Sequence, residues 1–403
     1  GSVYESLLEL HPYVDVSTEP WQFRFMNDDE SGQIAGSERK TTGSYYTPPA
    51  LVDELLRSSV DPVITRTVKN NPKNPADALA KLRIIDPACG SGHFLLGAAR
   101  RVAAEIARIE ADQDTADEKL RQHALRRVMG SCIYGIDKNP LAVELCKTAL
   151  WIEAMEPGKP LTFLDAHIRC GDALVGVLDP AFLSEGIPDD AYEAIADNEK
   201  SACKDLKKRN RDARKNVMGS VQETMDLEGV GGGVDEFAQA EEAIREINSM
   251  PDDTLERVEA KAKAFEEARS NRALDHERLR ANLFTSAFFA KKTTDTLTRV
   301  PTTDDLNRLR RGFPAKDGVR AETHRLANIY KFFHWYIEFP DVMEDGGFDI
   351  VLGNPPWETM SPDYKEFFST YDPSIRFMAP KEQKAAFDRL LERPQIAVQW
   401  QQY

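Results

Sequence analysis

Two strings in this chain carry residue types and spacings from which chemistry can be argued: Asp86-Pro87-Ala88-Cys89-Gly90-Ser91-Gly92-His93-Phe94 and Asn354-Pro355-Pro356-Trp357. The first follows the apolar run Leu82-Arg83-Ile84-Ile85, at the place where a strand gives way to a helix and a nucleoside ligand is commonly met. Gly90 and Gly92 allow the backbone to turn and approach a ligand closely. The glycines run G-x-G without the third of the dinucleotide fingerprint, which disfavours hydride transfer. Asp86 beside the loop suits a cationic group such as an amino-acid ammonium better than a pyrophosphate. S-adenosylmethionine has that ammonium and no phosphate, so Asp86, Ala88, Gly90, Ser91, Gly92 and Phe94 are its candidate contacts.

Two further acids stand at strand ends. Asp137 closes the run Cys132-Ile133-Tyr134-Gly135-Ile136 and could accept both ribose hydroxyls of an adenosine. It could equally cap the helix that begins near Pro140. It lies about fifty residues beyond the glycine loop rather than the roughly 20 of a minimal unit, which an extra helix explains. Asp172, after Cys170-Gly171, could accept a hydrogen bond from the adenine amino group of the cofactor, or simply close a turn.

The second string supplies what transfer to an exocyclic amine requires. The lone pair of such a nitrogen is delocalised into its ring. If the Asn354 side-chain oxygen and the Pro355 carbonyl accept its two hydrogens, the nitrogen moves toward tetrahedral geometry and the lone pair is released. The same acceptors stabilise the positive charge that develops. Pro355 and Pro356 stiffen the loop. Trp357 offers a flat face to a base swung out of a duplex.

The surrounding pattern positions these residues. Thr47 and Pro48 form a helix-start signal, with Leu51, Val52, Leu55 and Leu56 as the apolar face behind it. Strands are expected at 82–85, 132–136, up to Gly171-Asp172, and at 348–352, separated by helices at 94–109, 117–129 and 141–154. This alternation predicts a doubly wound, Rossmann-like α/β sheet. Between about 180 and 325 strands disappear and Glu, Lys, Arg and Ala dominate. A long helical insertion is expected there, with paired antiparallel helices and a flexible hinge at Gly231-Gly232-Gly233. The expected organisation is 1–45 as an accessory segment with a helix-like stretch (Val3 to Leu10) and a polar loop, 46–180 as the cofactor half, 181–325 as the insertion, and 326–403 as the catalytic loop followed by polar, helical sequence.

Other conspicuous residues read as structure. The basic run Lys204 to Arg211 is a candidate for tracking phosphates, but a solvated helix face is the favoured reading. His334 and Trp335 are expected to build core, and Trp151 to pack on a helix face. No Ser/His/Asp constellation and no nuclease-like carboxylate–lysine cluster is discernible.

Bulk properties narrow the setting. The chain has 403 residues, 41% of them hydrophobic, and a net charge of -15, so any DNA-binding cleft must be locally basic or supplied elsewhere. Its five cysteines form no C-x-x-C pair, which indicates neither a disulfide framework nor a metal site and fits a reducing, cytoplasmic compartment. No apolar run approaches the roughly 20 residues of a membrane span, and no signal pattern opens the sequence. The first residue is glycine rather than methionine, which suggests a fragment.

Taken in order, Asp86 to Phe94, Asp137, Asp172 and Asn354 to Trp357 resemble the successive motifs of N6-adenine DNA methyltransferases in the gamma arrangement, cofactor motifs first. Thr42-Gly43-Ser44-Tyr45-Tyr46-Thr47-Pro48-Pro49 is similar to the segment that closes over the methionine part of the cofactor in that family, which adds Tyr46, Thr47 and Pro48 to the candidate contacts. The N-terminal Gly1-Ser2-Val3-Tyr4-Glu5, the insertion and the Phe333-to-Pro340 lead-in resemble the large methylases of phage-defence systems, among them fused type II restriction–modification enzymes and the adenine methylases of DISARM and BREX systems.

The resemblance implies a site-specific enzyme that methylates adenine N6 in double-stranded DNA, with the target adenine flipped out, as host-protecting modification. It also implies association with other subunits of a defence complex. Only about 46 residues follow Trp357, so the family's remaining strands and target-recognition region are expected to lie outside this sequence. Two other readings stay open: methylation of a protein glutamine amide or of RNA adenine, which use similar Asn-Pro-Pro-aromatic loops, and a subunit that binds S-adenosylmethionine and methylates nothing. A cytosine-C5 mechanism would need a nucleophilic cysteine in a Pro-Cys dipeptide, and none occurs.

Overall fold

The computed structural model describes residues 10–15, 22–27, 47–111, 117–195, 198–224, 232–354, 364–369, 371–372, 374–375 and 378–402. The chain divides into two units, residues 52–353 and the segments 1–51 with 354–403.

The larger unit is built on a parallel sheet of β3 (Ile84–Asp86), β4 (Ile133–Asp137), β5 (Ile168–Cys170) and β6 (Ile350–Val351), in the spatial order β5-β4-β3-β6. The chain runs outward from β3 to β4 and β5, and then returns on the other side of β3 as β6. The order therefore reverses between β3 and β6, and ligands of open α/β sheets bind outside the carboxyl ends at such a point. This is the doubly wound, Rossmann-like architecture that the strand–helix alternation predicts.

Strand periodicity places successive residues on opposite faces. Ile84, Ile133 and Ile350 belong to a core shared with helices Pro49–Asn70, His93–Ala111, Glu118–Ser131 and Pro140–Glu153. Ile85, Tyr134 and Ile136 face the other way, against Phe333, Phe339 and Val342. Tyr134 stacks on His167 at 4.3 Å and meets Phe339 and Phe348 edge-on at 5.4 and 5.3 Å. Each fully buried isoleucine contributes about 1.5–3 kcal/mol through removal from water. The helix expected near Pro48 begins at Pro49, and its buried stripe is Val52, Leu56, Val60 and Ile64; Leu51, expected on that face, is exposed.

The insertion is helical, as its composition predicts, with Lys200–Thr224, Gly232–Ser249, Leu255–Arg269, Arg272–Phe289, Thr303–Arg310 and Asp317–Tyr330 its longest elements. The expected hinge is corrected in part: Gly232 and Gly233 open a helix, where the first amides need no intrahelical partner and glycine costs little, while Gly231 lies outside the described residues. The insertion is anchored to the sheet through Glu338, whose Oε2 accepts from Arg169 Nη2 at 2.6 Å and from Arg269 Nη1 at 2.7 Å. The Phe265 ring lies 5.5 and 5.6 Å from the two guanidinium carbons.

In the smaller unit, β1 (Leu10–Asp15) pairs antiparallel with β2 (Gln22–Asn27), Leu10 opposite Asn27 and Asp15 opposite Gln22. Over 11–15 and 22–27 strands stand where a polar loop is expected; the rest of that loop, and Val3 to Glu9 of the helix-like stretch, lie outside the described residues. Alternation in Gln22-Phe23-Arg24-Phe25-Met26-Asn27 has the strand period of two. The tail forms helices Tyr364–Ser369, Pro380–Leu391 and Pro394–Gln402, as expected. They share an apolar cluster, including Phe367, Phe368, Ile375, Leu390 and Ile396, that the polar reading of the tail understated.

Candidate functional site

The carboxyl end of β3 runs into a loop shaped by its own amides. Asp86, only 1% exposed, accepts from the Ala88 amide through Oδ1 at 3.0 Å. Cys89 N donates to Ile136 O at 2.8 Å, tying the loop to β4, and Gly92 N donates to Cys89 O at 2.8 Å. Gly90 and Gly92 have φ of 53° and 79°, a region that disfavours side chains.

The two glycines serve different ends. A Cβ on Gly90 would meet nothing within 4 Å, so the loop there faces open space. A Cβ on Gly92 would stand 2.8 Å from Cys146 Sγ, so this glycine permits packing of helix Pro140–Glu153. Sequence reading assigned both to the ligand. It also passed over Gly135, whose missing side chain leaves room for Leu95 and Cys89 at 3.0 and 3.1 Å.

Asp137 faces the loop from the end of β4. Its Oδ2 accepts from Gly90 N at 2.9 Å and its Oδ1 from Asn139 N at 2.8 Å. Asn139, not Asp137, caps the following helix, its side chain accepting from Leu141 N at 2.9 Å. Asp137 is therefore not the N-cap, and what it braces is the glycine loop. Burial raises both carboxyls: Asp86 is pushed up to about 7, its Ala88 hydrogen bond opposing, and Asp137 moves upward against its two amide donors. Buried carboxyls held above their ordinary range lack positive charge nearby, which an ammonium would supply.

Asp172 lies just beyond β5. Its Oδ1 accepts from Leu174 N at 3.1 Å and its Oδ2 from Lys138 Nζ at 3.1 Å, a partner that sequence reading missed although it directly follows Asp137. Three acids at three neighbouring strand ends, with open space above Gly90, fit a ligand that carries an ammonium and an adenosine and no phosphate. Ala88 is exposed and Ser91 half-buried at this loop, whereas Phe94 lies in the core beneath it.

In the smaller unit, Asn354 Nδ2 donates to Thr47 Oγ1 at 3.2 Å, which brings together two candidates 307 residues apart. Pro48 is exposed. Tyr46, Pro355, Pro356 and Trp357 lie outside the described residues.

The residues read as structural are so placed. His334 is buried; its Nδ1 accepts from Val177 N at 3.1 Å, so Nε2 carries the proton and donates to Asn282 Oδ1 at 2.9 Å. Trp151 Nε1 donates to Thr162 O at 2.7 Å. In the basic run, Leu206 and Asn210 are buried while Lys207 pairs with Glu193 and Arg211 with Asp189, so part of that charge is neutralised internally. Among the described residues no helix is long and apolar enough to cross a membrane.

The family model described as Eco57I restriction-modification methylase matches residues 131–379, which hold Asp137, Asp172 and the Asn354 string. The model described as MmeI, DNA-methyltransferase domain, matches residues 65–161, which hold the glycine loop. A protein of Methanocaldococcus jannaschii named as a type II restriction enzyme and methyltransferase is 25% identical over 390 residues, 84% of this chain and 30% of that protein. The adenine-specific methyltransferase PglX of Streptomyces coelicolor is 28% identical over 165 residues, 39% of this chain and 12% of that protein. The chain thus spans less than a third of the length of the curated relatives it matches.

Proposed function

The chain belongs to the Eco57I restriction-modification methylase family, and from that premise we propose that it transfers a methyl group from S-adenosylmethionine to adenine N6 in double-stranded DNA. The reaction would serve as host-protecting modification in the cytoplasm, within a restriction–modification or phage-defence system. The observation that carries this reading is the Gly90 loop, open above its glycine and held by Asp137 Oδ2 on the Gly90 amide at 2.9 Å. The cofactor, when bound, supplies an electrophilic methyl on a sulfonium.

The chain's residues do the rest. Asp86 pairs with the ligand's ammonium, Asp137 accepts the ribose hydroxyls, and Asp172 accepts the adenine amino group. Thr47 holds the Asn354 amide by its nitrogen, and the Asn354 oxygen with the Pro355 carbonyl accepts the hydrogens of the target amine. The two acceptors draw that nitrogen toward tetrahedral geometry and stabilise its developing charge. Trp357 stacks on the extruded base. No general base of high pKa is required.

Modification-detecting sequencing of host DNA with and without the intact gene tests this. N6-methyladenine at a defined sequence should vanish with the gene. An unchanged methylome would contradict the proposal, and label from tritiated cofactor appearing in protein or RNA instead would favour a glutamine or RNA-adenine methylase.

A further inference from the structure

The loop that carries Asp172 leaves the sheet at its edge, because β5 ends the order β5-β4-β3-β6 and itself ends at Cys170. A loop so placed needs a neighbour to hold it. That neighbour is the segment 331–335, where the chain leaves the helical insertion. Asp172 N donates to Lys331 O at 2.7 Å, and Asp172 forms a parallel bridge with Phe332. Phe333 N donates to Val175 O at 2.9 Å, Trp335 N to Val177 O at 3.0 Å, and Trp335 Nε1 to Ala173 O at 3.0 Å.

Two glycines make the approach feasible. A Cβ on Gly171 would lie 2.5 Å from Phe333 Cδ2, and one on Gly176 would lie 1.8 Å from Phe333 O. Lys331, where the segment begins, is the one non-glycine with positive φ among the described residues, at 54°. A left-handed lysine persists only where its surroundings over-determine it. Here the turn ends helix Asp317–Tyr330 and aims the Lys331 carbonyl at Asp172.

We propose that residues 331–335 form a strap that positions Asp172 toward the adenine of the cofactor, with Phe333, seated over Gly171 and Gly176, as its positioning residue. This rests on the reading of Asp172 given above. Phe333 touches no ligand: it fixes the backbone from which the carboxylate projects, and it makes the segment that follows the insertion a determinant of purine selectivity. Sequence reading placed His334 and Trp335 of this run in the core and gave Phe333 no positioning role, because the partner strand it completes is an unpatterned loop.

The test is calorimetric titration of the chain with S-adenosylhomocysteine and with S-inosylhomocysteine, in which the purine amino donor is replaced by a carbonyl acceptor. The wild-type chain should prefer the adenosyl compound by about tenfold or more, as expected for a donor lost opposite a carboxylate. Gly171→Ala, which drives a methyl into Phe333, should erase most of that preference while changing affinity for the inosyl compound by about twofold or less. Equal losses for both ligands, or an undiminished preference, overturn the strap.

Should Gly171→Ala fail to fold, amide exchange on the wild-type chain decides. At equal saturation the Phe333 and Trp335 amides should exchange more slowly with the adenosyl than with the inosyl ligand, and equal exchange overturns the proposal. A wild-type chain that binds both equally removes Asp172 from the adenine. One that binds neither removes the cofactor reading itself. Both results also overturn the strap, and they differ from the case in which only the variant is silent.

Discussion

Asp137 Oδ2 accepts the Gly90 amide at 2.9 Å, so the acid at the end of β4 holds the glycine loop that follows β3. The same carboxylate takes the Asn139 amide through its other oxygen. Asp137→Ala should therefore release the loop and remove the proposed ribose acceptor together. By calorimetry with S-adenosylhomocysteine the loss should be about 1–3 kcal/mol, the range for polar groups left unpaired. Asp137→Asn, which keeps one acceptor oxygen, should fall between. Unchanged affinity in Asp137→Ala would reduce the residue to a loop brace.

Asp86 gives a pH signature. Its carboxyl is buried and pushed up to about 7 from 3.8, so the folded, ligand-free chain binds a proton that the unfolded chain has lost over that interval. The stability this contributes is fully present below about 3.8 and is lost as pH rises toward about 7. Binding an ammonium requires the ionised form. Affinity for S-adenosylhomocysteine should then rise with pH up to about 7, by as much as tenfold per unit, and level off above it. Titration calorimetry at pH 5.5, 6.5 and 7.5, each value roughly one unit apart, measures the slope. A flat profile would show that Asp86 only shapes the loop through Ala88.

Gly92 is constrained twice, by φ of 79° and by Cys146 Sγ 2.8 Å from where a Cβ would stand. Gly92→Ala should destabilise the chain by about 2–4 kcal/mol, from overpacking and backbone strain combined. Adding Cys146→Ala should recover the steric part and leave the backbone part. Urea denaturation of the single and double variants separates the two, and a single variant of wild-type stability would refute the packing role.

Glu338 is an anion enclosed by Arg169 and Arg269, with 13% of its side chain exposed, and these guanidiniums hold its carboxyl well below the usual range despite burial. Glu338→Ala should cost about 3–5 kcal/mol, because it strands two part-buried cations. A depressed carboxyl contributes stability above its ordinary value of 4.5 that is lost as pH falls. Glu338→Gln should accordingly flatten the acid limb of the stability profile. Denaturant midpoints between pH 3 and 7, a span of roughly four units, would show whether that limb persists.

Much of the larger unit was legible because its signals are local. Apolar runs ending in Asp86 and Asp137 announce parallel strands, and the glycine string marks the turn between strand and helix. The role of Gly92 was not legible, since Cys146 reaches it from 54 residues away and only packing reveals the contact. Lys138 escaped for the opposite reason: it adjoins Asp137 in sequence, yet its partner Asp172 is set by the register of β4 against β5. The β1–β2 pairing was missed because leucine spacing before it suggested a helix. The Phe333 strap was missed because a parallel pairing with a loop leaves no periodicity to find.

The direct measurement is tritiated methyl transfer from S-adenosylmethionine to unmodified plasmid DNA by the intact gene product, with the nucleosides separated afterwards, for the wild type and for Asn354→Ala. Label should appear in N6-methyldeoxyadenosine with the wild type and vanish with Asn354→Ala, while cofactor affinity by calorimetry stays within about twofold, since the proposed ligand contact of Asn354 is the target amine. Label in cytosine, in protein or nowhere with the wild type, or full transfer by Asn354→Ala, would contradict the assignment of this chain as an adenine-N6 methyltransferase that acts through the Asn354 acceptor.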